Sequence, residues 1–94
     1  MENPVHLHPL ERWRGQIVVL DTPGPLVYIG TLTDIHAEVL ILQEADVHDT
    51  RDSGSTKEYY IAQSRELGVR PNRTVVVVRR DIVASVSLLE DVRM

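Results

Sequence analysis

The sequence contains no cysteine, which excludes a disulfide framework and any metal site built on thiolates. It has no phenylalanine, one tryptophan (Trp13) and three tyrosines (Tyr28, Tyr59, Tyr60), so packing falls to Val, Ile and Leu. Val and Ile are β-branched and favour strands. No apolar run approaches the roughly 18–20 residues that a helix needs to span a bilayer. The opening MENPVHLHPLERWRG lacks the basic-then-apolar order of a secretory signal. The expectation is a soluble, cytoplasmic protein with no membrane partner. There is no P-loop, dinucleotide fingerprint or Ser/His/Asp arrangement, so neither catalysis nor a cofactor is expected.

Positive charge is also short. The net charge is −4, which argues against a broad nucleic-acid-binding face. Its distribution qualifies that point. Between Asp34 and Glu58 acids outnumber Arg51 and Lys57, whereas Arg65, Arg70, Arg73, Arg79 and Arg80 gather toward the C-terminal third.

What is present, over 94 residues, suffices for one domain with a single modest core, a size that gains from oligomerisation. Residues 1–8 read as a loosely held arm. Pro9–Trp13 reads as one or two helical turns, with Leu10 and Trp13 on one face to cap a barrel, ended by Gly15. Gln16–Asp21 is a strand, and Pro23-Gly24 suits the centre of a type II turn. Leu26–Thr33 is a second strand. Gly30 in its interior, within VYIGTL, marks a bend or a close backbone approach. A short connection, Asp34–Ala37, leads to Glu38–Glu44, the most hydrophobic strand. Residues 46–73 read as an insertion: an acidic exposed loop (Asp46–Ser55), then a helix over Thr56–Leu67 capped by Ser55 with Glu58 and stopped by Gly68. Thr74–Arg79 carries four consecutive Val residues, which lose too much side-chain freedom in a helix, so it is a fourth strand. Ile82–Leu89 alternates as a fifth.

In this order the elements resemble the Sm/LSm family. Gly15–Leu32 is similar to the family's first signature, with Val27, Tyr28, Gly30 and Leu32 in its apolar, aromatic, variable, Gly, variable, Leu pattern. Asp34–Ala45 is similar to the third strand and its preceding turn. Val78-Arg79-Arg80-Asp81 with Val83 and Val86 resembles the second signature. The resemblance implies a divergent, bacterial-type member with an insertion between strands three and four. It implies a mainly β fold, a small, strongly bent five-stranded antiparallel barrel. It also implies self-assembly through the fourth and fifth strands into a homo-oligomeric ring, a hexamer or heptamer, with Val75, Val76, Val77, Val78, Val83 and Val86 at the interface. Pairing would resolve the hazard of an exposed Val-rich edge. In the family, single-stranded RNA sits at the pore, and the likeness places Asp34, His36, Glu38, Arg79 and Arg80 there. Here the turn is shorter than usual, Glu38 stands where the family has Asn, and Arg80 replaces Gly. A carboxylate cannot donate the hydrogen bonds of an amide and repels phosphate, whereas His36 can stack on a base.

Each candidate has a plainer reading beside it. Arg79 and Arg80 form either a basic ring around a pore or a turn in which one arginine bridges Asp81 or Glu38. Tyr28, Tyr59 and Tyr60 suit core or interface better than a base platform. His6 and His8, with His36 and His48, fall short of a convergent metal site, and Asp46, Asp49 and Asp52 lack the glycine and spacing of a Ca²⁺ loop. Two functions remain open: an RNA-binding ring, or a scaffold ring for an unidentified protein that has lost the base pocket.

Overall fold

The computed structural model describes residues 9–93. The expected N-terminal arm, with His6 and His8, lies outside the described residues. Five strands carry the fold: β1 (Ile17–Asp21), β2 (Leu26–Ile35), β3 (Val39–Asp49), β4 (Arg73–Arg79) and β5 (Ser85–Leu88). They form one antiparallel sheet in the order β4-β3-β2-β1-β5. Two helices, α1 (Thr50–Ser53) and α2 (Lys57–Leu67), separate β3 from β4, and 3-10 turns cover Pro9–Trp13, Arg80–Ile82 and Leu89–Asp91. β4 and β5 are left as the two edges.

Alternation along the strands divides the apolar residues between two faces. Val18, Leu20, Tyr28, Leu32, Leu40, Leu42, Val78 and Leu88 fill the inner core, closed at one end by Leu10 and the flanking Trp13. Val19, Val27 and Ile29 point the other way and are covered by Tyr60 and Ile61 of α2 together with Val69, Leu89 and Val92. The sheet therefore buries both sides of its middle. α2 is a structural layer of the protein rather than an appendage.

The sheet bends where β2 and β3 lose register, between Ile29 and Thr31 and again between Leu32 and Asp34. At the first bulge Gly30 lies against Ala45 and Gln43, and a Cβ on Gly30 would come within 2.9 Å of the Ala45 Cα. The glycine expected to mark a close backbone approach does so. Opposite it Glu44 takes a positive φ of 49°, the left-handed conformation that lets β3 carry an extra residue.

Four local expectations need correction. The polar run Asp46–Asp49 is not a loop but the second half of β3, paired with Leu26–Ile29 of β2 and roofed by α2. The chain leaves the sheet only at Asp49, whose carboxylate accepts from the Arg51 N–H and caps α1. α2 is capped by Thr56, which accepts from the Tyr59 N–H, not by Ser55. Gly24 does not take the positive φ of a type II turn, because Pro25 pushes the residue before it toward extended backbone. That turn is held instead by the Thr22 hydroxyl donating to the Leu26 carbonyl at 2.7 Å. Finally, Arg80–Ile82 coil into a 3-10 turn, so β5 begins only at Ser85.

α2 is tied down along its length. Lys57 Nζ donates to Asp21 Oδ1 at 2.6 Å and to the Thr22 carbonyl at 2.7 Å. The Tyr60 ring stacks on His48 with centroids 3.6 Å apart and planes 6° from parallel. Gly68, at φ 93°, ends the helix by donating its N–H to the Ser64 carbonyl. Past the helix, the Asn72 side-chain amide accepts from the Val47 N–H at 3.0 Å and donates to the Val47 carbonyl at 3.0 Å. It extends the β3–β4 ladder with a side chain where the backbone has not yet arrived.

Candidate functional site

Two turns meet at one end of the sheet. The His36–Glu38 turn between β2 and β3 is closed by the His36 N–H donating to the Val39 carbonyl at 2.9 Å. The Arg80–Ile82 turn between β4 and β5 is pinned against it, because Val39 pairs with Arg79 in the last rung of the β3–β4 ladder. The Arg80 N–H then donates to the Glu38 carbonyl at 2.9 Å, and Arg80 Nη1 donates to the His36 carbonyl at 2.8 Å. Together the turns line an open recess of about 420 Å³ whose walls are Ala37, Glu38, Val39, Arg79, Arg80 and Asp81. Four of the five residues singled out from sequence, His36, Glu38, Arg79 and Arg80, are thus brought together by backbone geometry.

Asp34 sits apart, its carboxylate 3.6 Å from Arg14 Nη1. That arginine also donates to the Thr33 carbonyl at 2.7 Å and to both Glu11 oxygens at 2.8 and 2.9 Å. Arg14 therefore links the N-terminal turn to the end of β2. Nothing in the sequence singled it out.

The charges at the recess are largely matched within it. Arg79 Nε and Nη2 donate to the two Asp81 oxygens at 3.1 and 2.6 Å, a bidentate pair with both side chains well exposed. Those hydrogen bonds lower the Asp81 carboxyl below its ordinary range and raise the Arg79 guanidinium. Exposure keeps such a pair weak. Of the two partners weighed for arginine in this turn, Asp81 is the one taken by Arg79. The carboxylate of Glu38 takes no part in that pair.

The predicted interface residues divide by strand parity. Val75 and Val77 are 50% and 56% exposed on the outer face of β4, while Val78 is buried at 2%. Val76, Val83 and Val86 are half-buried against the inner core. Among the described residues the outer edge of β4 has no partner strand in the sheet, and neither has that of β5.

The acids of the former loop have separate duties. Asp46 is only 5% exposed and accepts from Asn72 Nδ2 at 3.2 Å. Burial pushes its carboxyl up, partly offset by the nearby His48. Asp49 is held at about 2, first by the hydrogen bonds from Arg51. Among the described residues no three His, Asp or Glu side chains converge as a metal site would require, and no helix is long and apolar enough to cross a membrane.

A five-stranded, strongly bent antiparallel sheet with an N-terminal helical turn is the Sm-like fold, and the comparison with solved structures agrees. The chain is similar to the Sm protein of Pyrococcus abyssii, solved in complex with a uridine heptamer, with a TM-score of 0.60 and 17% identity over 93% of this chain and 99% of that one. By sequence, no family model and no curated protein matches. The protein has the Sm-like fold, and it is the fold alone that this likeness establishes.

Proposed function

We propose that the protein is a non-enzymatic, cytoplasmic Sm-fold module that closes into a homo-oligomeric ring, a hexamer or heptamer, and takes single-stranded RNA at the paired turns. The observation that carries the reading is the docking of the Arg79-Arg80 step onto the His36–Glu38 turn. It brings Arg79 and Arg80 to one recess, and assembly would repeat that recess about a central axis. Ring closure is supported by the two unpaired edges of the sheet and by the exposed Val75 and Val77 on one of them. An open Val-rich edge is stabilised by pairing with the β5 edge of a second copy. RNA as the ligand is supported by the fold shared with a protein solved with a uridine heptamer.

A second reading, a scaffold ring for a protein partner, is favoured by the Arg79–Asp81 pair and by the carboxylate of Glu38 beside it. Size-exclusion chromatography with light scattering tests the ring, and a monomer would overturn it. Titration of oligo-U and oligo-A at two salt concentrations tests the ligand. Binding that weakens as salt rises is expected of phosphate contacts. No binding at low salt leaves the scaffold reading.

A further inference from the structure

We infer that the recess between the two turns prefers guanine, and disfavours uracil, as the base it accepts; the inference rests on the RNA reading above. The argument starts from which polar groups the recess offers. Arg79 spends Nε–H and one Nη2–H on Asp81 and keeps the rest of its five donors. Arg80 is turned back through Nη1 onto the His36 carbonyl. Glu38, whose backbone carbonyl anchors the Arg80 N–H, lines the same recess, and its carboxylate can only accept. Ala37 and Val39 supply apolar wall between these groups. A ligand here meets an acceptor and guanidinium donors side by side.

That pattern discriminates among bases. Guanine presents N1–H and the N2 amino group together, two donors matching the two oxygens of one carboxylate. Its O6 and N7 accept from a guanidinium, a favoured contact for arginine. Cytosine and adenine each offer one amino group beside a ring-nitrogen acceptor, so a carboxylate takes a single bond from them. Uracil has one N–H flanked by two carbonyl oxygens, and a carboxylate brought to it faces two like dipoles. Glu38 repels phosphate, which favours a base edge over the backbone on its own side of the recess. The turn is also held by main-chain bonds at Glu38 and His36 and by the Arg80 guanidinium donating to the His36 carbonyl, so the Glu38 side chain can change without loosening the recess.

The test is fluorescence anisotropy at one low salt concentration with four labelled RNA hexamers, U6, UAUAUA, UCUCUC and UGUGUG, on the full chain and on Glu38→Gln. The UG hexamer is expected to bind about tenfold tighter than U6, the scale of one good bidentate base contact. Glu38→Gln should bring all four to similar affinity, because an amide donates as well as accepts. Loss of a negative charge lifts every affinity together, so the readout is the ratio between hexamers. Equal affinities, a preference for U6, or a UG preference that survives Glu38→Gln each overturn the guanine inference and leave RNA binding standing. Failure of all four hexamers to bind overturns both.

Discussion

Gly30 and Ala45 approach so closely that a side chain on the first has no room: its Cβ would lie 2.9 Å from both the Cα and the Cβ of Ala45. One of the atoms in the way is backbone, so the neighbour cannot simply swing aside. The contact sits at the bulge where β2 and β3 slip register, and it sets the bend that brings the far ends of the sheet together around the inner core. Gly30→Ala is therefore expected to destabilise the fold by about 1–3 kcal/mol, the cost of overpacking. The urea midpoint should fall while the slope m is unchanged. A midpoint within error of the parent would show that the bend is not held by this contact. Ala45→Gly should rescue only part of the loss, since the Ala45 Cα remains.

The stacking of Tyr60 on His48 makes a second, independent prediction. It is the contact through which α2 holds the outer half of β3. Tyr60→Ala removes the ring from the outer core and is expected to cost about 2–3 kcal/mol, less than a fully buried aromatic. In a double-mutant cycle with His48→Ala the two should couple by about 0.5 kcal/mol, the low end for aromatic pairs, because the rings lie face to face rather than offset. Additive losses would mean the rings are neighbours without an energetic bond between them.

This pair also shows why part of the fold is legible in the sequence and part is not. The bend at Gly30 and the stop at Gly68 are local choices, and their residues announce them, whereas Val78, expected at the interface, turns into the core. Asp46–Asp49 is different. Its polar residues carry the composition of a loop, yet they form a strand because α2 folds back over them, buries Asp46 and stacks on His48. A contact from residues further along the chain overrides local propensity. The candidate site divides the same way. The meeting of the β2–β3 and β4–β5 connections follows from strand order and is readable. The choice of Asp81 over Glu38 as the partner of Arg79 depends on the 3-10 turn at Arg80, which the alternation of Ile82–Leu89 concealed. Arg14 reaches Thr33 and Asp34 only in three dimensions.

Asp46 supplies a pH dependence. Burial raises its carboxyl above the ordinary value, so the folded state binds its proton more readily than the unfolded chain does. Its contribution to stability is complete below the unfolded pKa and declines as pH rises through the folded one. At neutral pH the charged, buried carboxylate is a net cost that the nearby His48 only partly offsets. Asp46→Asn is expected to melt higher than the parent at pH 7, with the advantage shrinking as pH falls through the raised value of the folded carboxyl and gone below the ordinary value of about 3.9. Urea denaturation across that range measures it. An advantage over the parent no larger at pH 7 than at pH 3 contradicts the burial effect.

The Arg79–Asp81 pair supplies the last prediction, and it separates the two functional readings. With Asp81 in place, the guanidinium that faces the recess is already engaged through two N–H groups. An incoming phosphate has to displace a carboxylate that is tethered beside it. Asp81→Ala removes the competitor, leaves Arg79 on the last rung of the β3–β4 ladder, and makes each copy less negative by one charge. If single-stranded RNA is the ligand, affinity for oligo-A or oligo-U should rise several-fold. The slope of log K against log salt should steepen by about 0.7 for each phosphate that Arg79 newly contacts. Elevated affinity with an unchanged slope would mean that the substitution acts through net charge and not through Arg79. If the ring instead serves a protein partner, the acidic side chains at this end of the sheet belong to its docking surface, and Asp81→Ala should leave the RNA titration flat.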